Sequence, residues 1–293
     1  MVTKWFDKNI KYLFTLPAVI FMLLMICFPI IYTIVVSLTN WSLSNPGNIS
    51  FIGIQNYLNV FADERVWPAV LRTLYFSFVA VSIETILGVG IACFLNREFK
   101  GLNLVKTLFM LPMIATPVAI AYVWMLIYAP SIGFANFVLK ALHLPPQLWL
   151  ASGDTVLNSL IIIDVWEWMP LIMLIVLAGL TTVPKELYES AAVDGANAWS
   201  VFRRITLPFI TPTIIVAVLI RLIDCLKTFD IIYSTTLGGP GTASETLNTY
   251  SYILGFQYLD MGKGSALVIL FFMLVAIISI LMMAIRRKVV VEQ

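Results

Sequence analysis

Charge is scarce in this sequence. Only 12% of its 293 residues are Asp, Glu, Lys or Arg, and 60% are apolar. A soluble domain carries about 25% charged and about 45–50% apolar residues, so this composition excludes an ordinary water-soluble globule. Histidine occurs once, at His143, which excludes a histidine-rich metal site by count. Cys27, Cys93 and Cys225 each lie inside an apolar run and read as small buried hydrophobes, with no disulfide framework or metal set expected. A net charge of +2 with no basic stripe gives no reason to expect nucleic acid as a partner. The phosphate-loop pattern G-x-x-x-x-G-K-[ST] is also missing. Gly262-Lys263-Gly264-Ser265 is a fragment without the upstream glycine, and Leu237–Gly241 has no following lysine. The chain is therefore not expected to be an enzyme, to hold a cofactor, or to hydrolyse ATP by itself.

Long apolar runs are plentiful. A bilayer core about 30 Å thick needs about 20 apolar residues of helix. Six segments meet that length, at roughly 12–38, 70–95, 105–128, 156–180, 210–232 and 264–286. They predict an all-α polytopic protein with six transmembrane helices, read as one membrane domain over 1–293. Prolines fall in several spans, at Pro17, Pro29, Pro112, Pro117, Pro170 and Pro212. Neighbouring helices and polar side chains can re-satisfy the carbonyls that such prolines free. The first run is too long for a signal-peptide core and no A-x-A site follows it, so it reads as an uncleaved span.

Basic residues set the orientation. With the amino terminus inside, the inner face holds Lys4, Lys8, Lys11, Arg97, Lys100, Lys106, Lys185, Arg203, Arg204, Arg286, Arg287 and Lys288. The outer face holds only Arg65, Arg72, Lys140 and Lys263, and Arg221 and Lys227 are intramembrane. Both termini are thus expected on the cytoplasmic side of the cell membrane. The outer loops, roughly 39–69, 129–155 and 233–263, are rich in Trp, Pro, Gly and Asn. Two readings stay open for them. They are interfacial caps in the lipid headgroups, anchored by Trp41, Trp67 and Trp149, or a docking surface for an external partner.

The inner loop at 181–207 carries the most information. Pro184 suits a first helical turn, Glu186 complements the dipole, and Leu187, Tyr188 and Ala191 form one apolar stripe. Gly195 suits a left-handed helix end, and a second short helix from about Ala198 is expected to stop before Pro208. An amphipathic linker resting on lipid would explain this composition. The spacing says more. Glu189-Ser190-Ala191, then Asp194-Gly195-Ala196, then Phe202, Ile205 and Pro208 resembles the coupling motif of ABC importer permeases. It departs once, with Ser190 where that family usually has alanine. Lys227-Thr228-Phe229-Asp230, Leu237-Gly238-Gly239-Pro240-Gly241, Thr246, Phe256 and Gly262 follow in the order seen in maltose-type sugar permeases, most like the first permease of the pair.

That resemblance covers essentially the whole chain. It implies a type I importer permease fold and alternating-access import of a sugar or sugar derivative. It also implies a second permease, two ATPase subunits that bind ATP and magnesium, and an extracytoplasmic solute-binding protein. Glu189, Ser190, Ala191, Asp194, Gly195, Ala196 and Phe202 would form the joint with the ATPase. A self-sufficient secondary transporter is the alternative, disfavoured by the coupling loop and by the lack of an inverted repeat.

Charges inside the spans need partners. Arg221, Asp224, Lys227 and Asp230 in the fifth span would cost on the order of 10 kcal/mol at a helix centre, against roughly 6 kcal/mol returned by its large apolar residues. Such a helix faces protein or a water-filled cavity. The fourth span adds Asp164, Trp166, Glu167, Trp168 and a proline, Pro170, that predicts a kink. The second span adds Glu84. Structural ion pairing explains these residues. A substrate path through Asp164, Trp166, Glu167, Lys227, Asp230 and Tyr233 is the other reading, since carboxylates accept hydrogen bonds from sugar hydroxyls and aromatic rings cover sugar faces. Arg221 and Lys227 could serve an anionic sugar, but pairing with Asp224 or Asp164 explains them as well.

Overall fold

The computed structural model describes residues 2–97 and 99–291, and the side chains of 14–97 and 99–287. Lys4, Lys8, Lys11 and Lys288 of the inner-face count have side chains outside that range. The described residues form α1 Val2–Ser37, α2 Gln55–Phe61, α3 Val66–Leu95, α4 Leu102–Ile114, α5 Pro117–Ile127, α6 Phe134–Ala141, α7 Val156–Leu180, α8 Lys185–Val193, α9 Ala198–Val201, α10 Leu207–Leu226, α11 Asp230–Thr236, α12 Leu247–Tyr252 and α13 Met261–Val291. Only two isolated bridges, Thr39–Phe51 and Ser42–Asp260, interrupt this all-helical description. Among the described residues, five helical runs are long and apolar enough to cross a membrane, and there are six if the bent pair α4–α5 is counted as one span.

That bent pair corrects the third expected span. Between α4 and α5 the chain turns by 99°. Ala115 and Thr116 are extended, with ψ of 152° and 138°. Pro117 disfavours the helical conformation at the residue before it, then starts a new helix with its φ already set. Pro17, Pro29, Pro170 and Pro212 remain inside continuous helices.

The fifth span is corrected at both ends. At its start, the second loop helix does not stop before Pro208. A π-helical turn over Phe202–Thr206 joins α9 to α10, so that Ala198–Leu226 is one helical run. The Leu207 N–H donates to the Phe202 carbonyl. Pro208 then sits in the first turn of α10, where its missing N–H costs least. At its other end, α10 stops at Leu226, not at residue 232. The Asn248 side-chain amide donates to the Lys227 carbonyl at 2.6 Å and holds the break. Helix resumes at Asp230, whose carboxylate suits a helix start.

The chain forms two compact units. The first comprises Met1–Glu64 and Ser251–Phe272. Here the Asn56 amide donates to the carbonyls of Ser37 at 2.8 Å and Thr39 at 2.7 Å. Lys263 pairs with Asp63 at 2.7 Å. A Cβ at Gly262 would strike the Thr39 carbonyl, so this close approach needs glycine. The apolar stretch Phe14–Ser37 of α1 is almost wholly uncovered within this unit, as suits a span facing lipid or another packing partner.

The second unit comprises Arg65–Tyr250 and Met273–Gln293. Its core includes Phe76, Leu160, Ile163, Ile172, Met173, Ile210 and Leu226. α3 and α7 pack tightly where Gly88 lies: a Cβ there would stand 3.0 Å from Ile172 Cγ2 and 3.1 Å from the Met173 backbone nitrogen. Overpacking of this kind costs about 1–3 kcal/mol. Gly88→Val should therefore lower the thermal unfolding midpoint of the solubilised protein by several degrees, and an unchanged midpoint would show that α3 and α7 can separate freely. At the start of α3, Arg65 pairs with Glu245 at 2.5 Å and lies over the Tyr250 ring at 4.8 Å, while Arg72 donates to the Glu245 carbonyl at 2.8 Å.

Candidate functional site

Two regions of the second unit carry the candidate residues. The first is the loop at 181–207. α8 ends in a paired-bond cap: the Ala196 N–H donates to the Ala191 carbonyl at 2.9 Å and the Gly195 N–H to the Ala192 carbonyl at 3.2 Å. Gly195 supplies the left-handed step at φ +70° that this cap requires. Two residues later, the Asn197 side chain accepts from the Ser200 N–H at 2.8 Å and starts the next helix. Only Ala196 separates the two caps, so the turn is short and fully bonded.

One face of α8 packs inward. Ala191 is buried and Leu187 and Tyr188 are half-buried, as the apolar stripe predicts. The Tyr188 hydroxyl lies 3.2 Å from the Thr206 hydroxyl, and Phe202 stacks on Trp199 at 5.6 Å. Glu189, Ser190, Asp194, Gly195 and Ala196 face outward. So does Val193, a large apolar side chain left 88% exposed at the helix end. The stripe reasoning passed over Val193 and over the cap residue Asn197. An Asn directly before a helical run was the available signal for the latter.

The second region is a buried charge cluster. Arg221 of α10 is fully buried and forms ion pairs with Glu84 of α3 at 2.9 Å and with Asp164 of α7. Its guanidinium lies 5.2 Å from the centre of the Trp168 ring. Asp224 lies 3.6 Å from Arg221 and 4.0 Å from Lys227. The in-helix pairing expected from i, i+3 spacing thus exists, but the shorter contacts bind Arg221 to two other helices. Asp230 sits beyond the helix break on α11 and does not continue the series. Glu167 is buried, with one carboxylate oxygen unpartnered, and Asp164 likewise leaves one oxygen unpartnered.

Beside this cluster opens a cleft of about 210 Å³, lined by Pro117, Asp164, Trp168, Asp224, Lys227, Thr228, Phe229, Asp230 and Ile231. Three of the substrate-path candidates, Asp164, Lys227 and Asp230, meet here. Glu167 is buried and is not in the lining. Tyr233 stacks on Phe229 at 5.0 Å and is not itself in the lining. Trp166 is elsewhere: it meets Trp124 edge-on at 5.7 Å and lines a separate recess with Pro112 and Pro170. Two residues along a helix turn a side chain by about 200°, so Asp164 and Trp166 cannot share a face. Trp168, four residues from Asp164, takes the place in the cleft.

Of the three tryptophans proposed as headgroup anchors, Trp67 is exposed. Trp149 stacks on Tyr128 at 4.8 Å and donates to Asn136 at 2.9 Å, which makes it an internal brace.

Residues 84–291 match the profile of the family described as binding-protein-dependent transport system inner membrane component. A probable ABC transporter permease protein, y4oQ of Sinorhizobium fredii, is 41% identical over 91% of this chain and 86% of its own length. The trehalose/maltose transport system permease protein MalF of Thermococcus litoralis is 37% identical over 97% of this chain and 96% of its own. A crystal structure of a bacterial ABC transporter that imports the acidic polysaccharide alginate contains a chain that superposes with a TM-score of 0.84, at 26% identity and over 98% of each chain. The chain therefore belongs to the family of inner-membrane components of binding-protein-dependent transport systems, and is a membrane transport subunit, not an enzyme.

Proposed function

We propose that this chain forms one half of the translocation pathway of an ATP-driven importer for a carbohydrate-type solute. The observation that carries the reading is the outward face of the 181–207 loop. Glu189, Ser190, Val193 and Asp194 stand uncovered on a helix held rigidly by two adjacent caps. This surface suits a groove on an ATPase subunit, which would bind ATP and magnesium and supply the energy. In that arrangement the loop and both termini are cytoplasmic. A second permease chain would cover the uncovered apolar span α1 and complete the pathway, and an extracytoplasmic binding protein would deliver the solute.

The cleft supports a polyhydroxylated substrate. Asp164, Asp224 and Asp230 offer acceptors to hydroxyl groups, and Trp168 and Phe229 offer flat apolar surface. A relative with a trehalose/maltose name fits that chemistry. The test is gentle solubilisation from the native membrane followed by mass spectrometry of co-purifying proteins. An ATPase and a second permease are expected with the wild-type chain, and Glu189→Lys should lose the ATPase while keeping the second permease. A chain that purifies alone, and that carries solute down an ion gradient after reconstitution alone, would replace this reading with secondary transport.

A further inference from the structure

The cleft also has a charge requirement. Its lining holds three carboxylates, Asp164, Asp224 and Asp230, and one cation, Lys227. Arg221 lies behind the wall, and its charge is taken up by Glu84 and Asp164. Lys227 is half-exposed and stands 4.0 Å from Asp224, so the one cation of the lining has an acidic neighbour. The lining carries more acid than base. The lining also holds an unpartnered acceptor, one oxygen of Asp164, whose carboxylate is buried to about 1% exposure. With Glu84 and Glu167 both protonated, Asp164, Asp224 and Asp230 still outnumber Arg221 and Lys227 by one negative charge. With both ionised, the excess rises to three.

A low-dielectric wall strengthens each of these charges relative to water. A carboxylate, sulfonate or phosphate on the solute would meet net repulsion from three carboxylates, with Lys227 as the one cation of the lining. Hydroxyl groups donate to carboxylates without such a penalty. From this balance we infer that the cleft selects neutral or cationic polyhydroxylated solutes and rejects anionic ones. The inference rests on the sugar-importer reading and narrows it. It does not follow from the fold, since a structural relative imports an acidic polysaccharide on the same architecture.

The experiment uses the whole transporter with its binding protein in proteoliposomes. The probes are trehalose and trehalose oxidised to a carboxylate at one C6. Their uptake is compared for the wild type, Asp230→Asn and Asp230→Lys. The binding protein is the same throughout, so any change in the ratio of the two uptakes belongs to the permease. The wild type should favour the neutral sugar. Asp230→Asn should raise the carboxylate-to-neutral ratio about tenfold, the size expected for removing one charge a few ångströms away in a partly hydrated site. Asp230→Lys should raise it further, and added salt should shrink both effects. A wild type that favours the carboxylate overturns the inference. An unchanged ratio in both variants, with neutral uptake measurable, also overturns it and leaves the importer reading standing. Uptake of neither probe, together with ion-driven flux through this chain reconstituted alone, overturns both.

Discussion

Replacing Gly195 with proline should abolish solute uptake by the assembled transporter while leaving the chain inserted and folded in the membrane. Proline fixes φ near −65°, and Gly195 sits at +70°. Proline also removes the N–H that donates to the Ala192 carbonyl. The cap at the end of α8 would open, and the outward face of Glu189 and Asp194 would lose its fixed relation to the next helix. Gly195→Ala is the graded control. Nothing lies within 4 Å of a Cβ built at Gly195, so only the left-handed backbone resists alanine. That resistance is about 1–2 kcal/mol, and a partial loss of uptake is expected. Uptake assays paired with ATPase co-purification check both variants. Normal uptake by Gly195→Pro would mean that the rigid turn plays no part in coupling.

Arg221→Met should be the most destabilising single change in the second unit. It strips the counter-charge from Glu84 and Asp164, both of which are buried on separate helices. Breaking a buried pair by removing one partner costs about 3–5 kcal/mol, because the remaining charge has no solvent to return to. The solubilised variant should unfold at much lower temperature or aggregate during purification. Arg221→Lys should fall between, since an ammonium cannot bridge two carboxylates as the planar guanidinium does. The informative variant combines Arg221→Met with Glu84→Gln and Asp164→Asn. Removing all three charges together should restore most of the thermal stability. A triple variant no more stable than Arg221→Met would show that Arg221 supports the helices by packing and not by charge.

These two sites differ in how far they could be read from the residues alone. The turn at Gly195 is local. A left-handed glycine after an apolar stripe, close to a second helical run, carries its own geometry within about ten residues. The number and order of the apolar runs is equally local, because membrane thickness sets their length. Arg221 is different. The sequence offered Asp224 of its own helix and acids of other spans, Asp164 among them, as counter-charges, and only the packing of α3 and α7 shows that Asp164 and Glu84, 137 residues away, make the shorter contacts. That Trp168 and not Trp166 joins Asp164 was legible in helical rotation and was passed over, but that this face of α7 meets the cleft depends on how α7 is turned against its neighbours. The ends of α10 were also hidden. A π-helical turn and a side-chain amide arriving from residue 248 decide them, and neither leaves a periodic signal.

The unbroken run from Ala198 to Leu226 has a mechanical meaning. Twenty-nine helical residues make a continuous run about 44 Å long, with the π-helical turn near its start and Pro212 within it. One end begins immediately after the capped turn that faces the proposed ATPase. The other end stops at the residue before Lys227, on the wall of the cleft. Arg221 clamps this run to α3 and α7 close to its far end. A push or twist at the loop would travel along this continuous helix towards Asp224 and Lys227, carrying the clamped helices with it. The compliant joint lies beyond the run, at residues 227–229, where helix gives way before α11. In such a linkage the substrate wall would flex at its outer edge while the stroke is delivered from below.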